Sequence, residues 1–198
     1  MPLHHAAFRG NEGVVKILLE QDGVNPDTPD SNGRTPLWWA TRDGREGVMK
    51  MLLGRDNISP DKQDNDGRTP LLSAAWNGHE GVVKMLLGRD VNSDQPDNNG
   101  RTPLWLAACY GHEGVVKMLL ERAEVNPDRP NINGRTPLWW AARNGHEGVV
   151  KILPGPGGVN PNEPEKDGQT PLFWALKNGH KGVVALLQPP ESATPGPA

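Results

Sequence analysis

Histidine stands beside glutamate three times, as His79-Glu80, His112-Glu113 and His146-Glu147, and a fourth histidine, His180, precedes Lys181. A His-Glu pair is how a zinc protease helix begins. The second imidazole must follow one turn later to complete the His-Glu-x-x-His ligand pair. Residues 83, 116 and 150 would have to supply it, and all three are valine. Nor can the four histidines share one ion. Packed helices lie about 8–10 Å apart, whereas Zn–N bonds are about 2 Å. These side chains are therefore expected to be turn histidines bonded to backbone. The acidic run Asp64-Asn65-Asp66-Gly67 could suggest calcium, but Lys62 breaks the alternation of acids that a calcium loop needs. It is expected to be turn chemistry. Cys109 follows Ala107-Ala108 with no base assigned to it, so it is expected to pack. Gly155-Pro156-Gly157-Gly158 lacks the Lys of a phosphate loop. No cofactor, metal or catalytic group is expected, and no enzyme activity.

The elements that must position these residues are periodic. Gly-Arg-Thr-Pro-Leu begins at Gly33, Gly67, Gly100 and Gly134, and Gly-Gln-Thr-Pro-Leu at Gly168, in steps of 34, 33, 34 and 34 residues. A second block follows each, running from Gly44-Arg45-Glu46-Gly47-Val48 to Gly179-His180-Lys181-Gly182-Val183. The spacing gives six units over 1–32, 33–66, 67–99, 100–133, 134–167 and 168–188, the first and last incomplete, and a disordered tail over 189–198. Within 100–133, Thr102 and Pro103 start a helix. Leu104, Ala107 and Ala108 share one face of it, and Gly111 ends it. Val115, Val116, Leu119 and Leu120 define a second helix. A stretch rich in Pro, Asn and Asp then reads as a long loop. Neither short helix is stable alone; stacking on neighbouring units must bury both. The fold class is an all-α solenoid of helix-turn-helix units with projecting loops. In the fifth unit Pro154 stands where a second Leu is expected, and a proline there must stop the helix. A local defect between units five and six is expected.

The pattern Thr-Pro-Leu-x-x-Ala-Ala-x-x-Gly-His-x-x-Val-Val-x-x-Leu-Leu resembles the ankyrin repeat and covers residues 2–188. The resemblance implies a stack of helix pairs with a row of fingers, acting as a protein-interaction module. There are departures. The family usually has His after Thr-Pro-Leu, and only His4 matches; the others are Trp38, Leu72, Trp105, Trp139 and Phe173. This Trp-rich dialect resembles ankyrin arrays of fungal multidomain proteins, including NLR-like receptors.

Seven tryptophans are a sharp signal: Trp38, Trp39, Trp76, Trp105, Trp139, Trp140 and Trp174. The second of each pair is expected in the core. The first (Trp38, Trp105, Trp139) is expected on the finger side, as a half-exposed ladder suited to an interface. Two sets of positions vary between otherwise similar units. Before the turn glycine they include Arg42, Trp76, Tyr110 and Arg143. At the expected finger tips they are Thr28, Lys62, Gln95, Arg129 and Glu163. The resemblance implies that both sets line the concave binding face. Neutral drift at exposed sites would vary them equally. Trp76, Tyr110, Arg143 and Arg129 are the expected hot spot.

Charge narrows the partner. A net charge of -3 and a pI near 6.1 argue against a nucleic-acid binder, which usually carries a basic patch. No apolar run is long enough to span a membrane, and no leader peptide is visible. A single cysteine fits a reducing compartment. The expectation is a monomeric scaffold in the cytoplasm that binds a protein of unknown identity. The alternative is a structural or regulatory segment of a larger NLR-like receptor, packed on its own neighbouring domains, because neither end of the array looks like a polar cap.

Overall fold

A computed structural model describes residues 1–153, 164, 166 and 168–188. Each repeat contributes an inner and an outer helix. In chain order these are α1 (Pro2–Arg9) and α2 (Glu12–Leu19), α3 (Pro36–Arg42) and α4 (Glu46–Leu53), α5 (Pro70–Asn77) and α6 (Glu80–Leu87), α7 (Pro103–Tyr110) and α8 (Glu113–Leu120), α9 (Pro137–Asn144) and α10 (Glu147–Ile152), and α11 (Pro171–Lys177) and α12 (Lys181–Leu187). There is no strand among the described residues. Inner helices pack on inner helices and outer on outer, so α7 lies between α5 and α9, and α8 between α6 and α10.

The threonine and proline act as their types dictate. Thr35, Thr69, Thr102, Thr136 and Thr170 each accept a hydrogen bond at the side-chain oxygen from the backbone N–H three residues on, at 3.1–3.2 Å. Proline follows in the first helical position, where no N–H is needed. Helices this short gain little from propensity, and the packed face supplies the rest. Alanines make that possible. Ala74, Ala75, Ala107, Ala108, Ala141 and Ala142 are wholly buried, letting successive inner helices approach closely. The outer helices fill the other half of the core with Val82, Val83, Leu86, Val115, Val116 and Leu119.

The loops close in two turns. In the first loop the Thr28 N–H donates to the Asn25 carbonyl. The Gly33 N–H then donates to the Asp30 carbonyl, and the Asp30 N–H donates to the Arg34 carbonyl. The Asp30 side chain accepts from the N–H groups of Asn32 and Arg34. The finger therefore ends at Ser31 and Asn32, beyond Thr28, and the same pattern recurs at Asp64 and Asp97. Thr28, Lys62, Gln95 and Arg129 thus sit on the incoming arm and not at the tip, because the residue two positions beyond each of them, Asp30, Asp64, Asp97 or Asn131, nucleates the tight turn. Glu163 lies outside the described residues. Fingers are tied sideways: the Asn65, Asn98 and Ile132 N–H groups donate to the carbonyls of Asn32, Asp66 and Asn99.

Helix α10 has six residues where α8 has eight. The segment expected to carry the defect, Pro154 to Gly158, lies outside the described residues, as does the 189–198 tail. On the inner side the sixth pair docks like the others, with Trp174 against Trp139 at 5.5 Å between ring centroids.

Candidate functional site

The inner face combines the exposed side of the inner helices with the bases of the fingers. Two helical positions three residues apart recur along it, the fourth and seventh residues after each cap threonine: Trp39 with Arg42, Ser73 with Trp76, Leu106 with Cys109, Trp140 with Arg143, and Trp174 with Lys177. Residues three apart on a helix are surface neighbours, and three of these pairs put a cation over an indole. Arg42 lies 5.2 Å from the Trp39 ring centroid, Arg143 5.0 Å from Trp140, and Lys177 4.4 Å from Trp174. Arg143 also lies over Trp139 at 5.2 Å and Trp174 at 4.8 Å, bridging two repeats. The arginine of each Gly-Arg-Thr-Pro-Leu block adds a second cation from the finger side. Arg34 lies 4.5 Å from Trp38, Arg101 5.5 Å from Trp76, and Arg135 4.8 Å from Trp139.

The middle of the face is aromatic. Trp76 and Tyr110 stack at 5.6 Å with their planes 19° apart, and Tyr110 stacks on His112 at 6.3 Å. Tyr110 is 47% exposed and Trp76 half-buried. This places two of the expected hot-spot residues in one stack, and Arg143 and Arg42 on the same row.

The other expected site residues are placed differently. Trp38, Trp105 and Trp139 are 5%, 4% and 1% exposed, so the half-exposed ladder they were expected to form does not exist. The pair order is reversed: the first tryptophan fills the inter-repeat core, and the second, Trp39, Trp140 or Trp174, is only half-buried. The reason is helical phase. The first residue lies one turn before the second buried alanine, as Trp139 lies before Ala142, on the side facing the next inner helix. Trp105 confirms the packing role by donating its indole N–H to the Arg135 carbonyl of the next repeat at 2.8 Å. Lys62 and Arg129 are engaged in joints between repeats, with Asp27 and Asp94 respectively, each at 2.9 Å. Gln95 accepts from the Asn92 side chain. The block arginines and the second tryptophans were not expected at the surface. Only the arginines left a signal in the sequence, in the four-residue spacing from Arg34 to Trp38 and from Arg135 to Trp139.

The recurrent histidines have a structural task. The last carbonyls of a helix lack intrahelical partners. His79, His112, His146 and His180 meet this need across the repeat boundary, their Nε2 atoms lying 2.9–3.0 Å from the carbonyls of Arg42, Trp76, Cys109 and Arg143. Each ring passes over the preceding turn glycine. At Gly111, whose φ is +78°, a Cβ would sit 2.7 Å from His146 Nδ1, so a glycine is needed both for the left-handed turn and for the ring. Cys109 is buried, and burial pushes its thiol up to about 11. That is far from the low value a nucleophilic cysteine requires.

Stacked helix pairs joined by hydrogen-bonded fingers, with an aromatic and cationic inner face, define a repeat solenoid whose side chains suit recognition. The family model described as ankyrin repeats (3 copies) matches residues 1–64, 54–129 and 123–194. The chain belongs to the ankyrin-repeat family, whose members are generally protein-protein interaction modules and typically non-catalytic. No curated protein matches it. No helix among the described residues is long and apolar enough to cross a membrane.

Proposed function

We propose that this chain is a non-catalytic scaffold that holds a protein partner on its inner face and along its fingers, corresponding to the family's concave surface. It works as a monomer in the cytoplasm, without a cofactor and without nucleic acid. The Trp76–Tyr110 stack carries this reading. A stacked pair of rings at mid-array, Tyr110 exposed and Trp76 half-buried, offers contact area at low entropic cost, and aromatic and arginine side chains dominate binding hot spots. Arg42 and Arg143 flank it on the same row.

The test is affinity capture from a cytosolic extract with wild type beside a W76A/Y110A/R143A variant, both checked by circular dichroism. A partner retained by wild type and lost by the folded variant supports the reading. A partner kept equally by both removes the inner face from the interaction. One observation favours a second reading, in which the array packs on neighbouring domains of a larger receptor-like protein. Phe173, Leu176 and Leu186 of the last helix pair are 42%, 55% and 41% exposed, an apolar end face suited to a covering domain. Binding that survives the triple variant but is lost in L176E/L186E would favour it.

A further inference from the structure

We infer that the inner face recognises an extended acidic segment of a protein, with carboxylates at two places about nine residues apart and an apolar or aromatic residue between them; this rests on the protein-binding reading above. Two depressions carry the inference. One, of about 340 Å³, lies between the second and third repeats and is lined by Arg34, Arg42, Arg68, Trp38 and Trp76, together with Ser73 and Asn77. The other is a shallower hollow between the fourth, fifth and sixth repeats, lined by Tyr110, Arg143, Asn144 and Asn178 with Cys109, His146 and His180. Neither lining contains a carboxylate.

The nearby acids are largely committed. Asp64 is buried and shared between Arg68 at 2.9 Å and Arg34 at 3.5 Å, and Asp66 pairs with Arg68. Asp43 approaches Arg42 only to 4.0 Å, beyond hydrogen-bond distance. Arg143 and Lys177 have no ion pair with any described residue, and their charge rests on indole faces. Donors are in surplus as well. The indole N–H of Trp38, buried at the edge of the first depression, has no hydrogen-bond acceptor among the described residues, and the Arg34 Nε atom beside it meets Asp64 only as a 3.5 Å ion pair. A guanidinium stacked on an aromatic face keeps its planar fork of N–H groups for an in-plane acceptor, which a carboxylate matches with two oxygens.

The spacing sets the length of the occupant. Arg42 and Arg143 are equivalent positions three repeats apart. At roughly 9–10 Å per stacked helix they lie about 30 Å apart, which an extended chain at about 3.3 Å per residue crosses in about nine residues. The Trp76–Tyr110 stack falls between them. A polynucleotide fits poorly, because its phosphates repeat every few ångströms, while Leu106 and Cys109 leave the middle of the row without charge.

The test is selection of a phage-displayed library of random 16-residue peptides on the immobilised full chain. The expected result is enrichment of peptides with two acidic sites eight to ten residues apart. Resynthesised with fluorescein, a selected peptide should bind with an affinity that falls at least tenfold when its acids become Gln or when the protein carries R42Q/R143Q, with R143K restoring part of it. R42Q alone decides the matter if R143Q fails to fold. Neutral or basic selected peptides, no selected peptide, or tighter binding of a 20-nucleotide single strand would each overturn the inference. If neutral peptides are selected and W76A/Y110A abolishes their binding, the scaffold reading stands and only the acidic chemistry fails. If the extract experiment also yields nothing, both fail.

Discussion

His112→Ala should cost more stability than His146→Ala, although both remove the same side chain from the same place in successive repeats. The difference lies in what remains on the carbonyl. His146 and the Asn144 side chain both bond to the Cys109 carbonyl, at 3.0 and 2.8 Å. Removing His146 forfeits one net hydrogen bond, about 1 kcal/mol, and leaves the acceptor satisfied. In the preceding joint the asparagine position is occupied by Tyr110, and His112 is the side chain that reaches the Trp76 carbonyl, at 2.9 Å. Removing it loses the bond and orphans a part-buried acceptor, for a total of about 2–3 kcal/mol, with a few tenths more from the lost stacking on Tyr110. The gap between the variants should thus be about 1–2 kcal/mol. Urea unfolding followed by far-UV circular dichroism resolves this, provided the slopes match. The same logic requires Asn144→Ala and His146→Ala to be non-additive, because only the double variant orphans the Cys109 carbonyl. Equal costs for His112→Ala and His146→Ala, together with additivity in the pair, would refute the idea that these histidines act by satisfying the ends of the preceding helix.

Trp139→Ala should destabilise by about 3–5 kcal/mol as a cavity in the core. Trp140→Ala should cost less than half of that in the same urea titration, since its ring is only half-buried. Burial holds the His4 imidazole below its ordinary 6.5. The unfolded chain therefore takes up the proton first as pH falls, and this contribution is complete above about pH 6.5 and lost below it. His4→Leu, the residue type that Leu72 supplies at the equivalent position, should flatten the fall in Tm between about pH 7.5 and 5.5. The raised Cys109 thiol has the opposite sign. Its contribution is complete below the ordinary value of 9.0 and is lost as pH rises from there toward about 11. At pH 8 only about one thiol in a thousand would be ionised. A disulfide reagent should then react at least fiftyfold faster in urea than with the native chain.

The repeat, the helix starts and the alanine-lined core were legible in the sequence because each is a local rule applied several times. A threonine before a proline caps a helix wherever it stands, and a glycine ends one, so five copies reinforce a single reading. The absence of a second histidine at Val83, Val116 and Val150 was equally local. Which tryptophan of each pair points outward was not legible, because both neighbours are equally apolar. Neighbours on a helix project about 100° apart, and which of the two faces inward depends on how one inner helix is rotated against the next. The finger tip shifted for a related reason: Asp30, Asp64 and Asp97 fold the chain back through their own side chains, and several turn-forming residues competed for that role. The cation-on-indole row joins Arg143 to Trp174 across a repeat boundary, a contact 31 positions apart in the chain. The identity of each side chain was written in the sequence, but whether its face met water or a neighbour was decided only when the repeats stacked, since burial is a property of the packed surface and not of the residue.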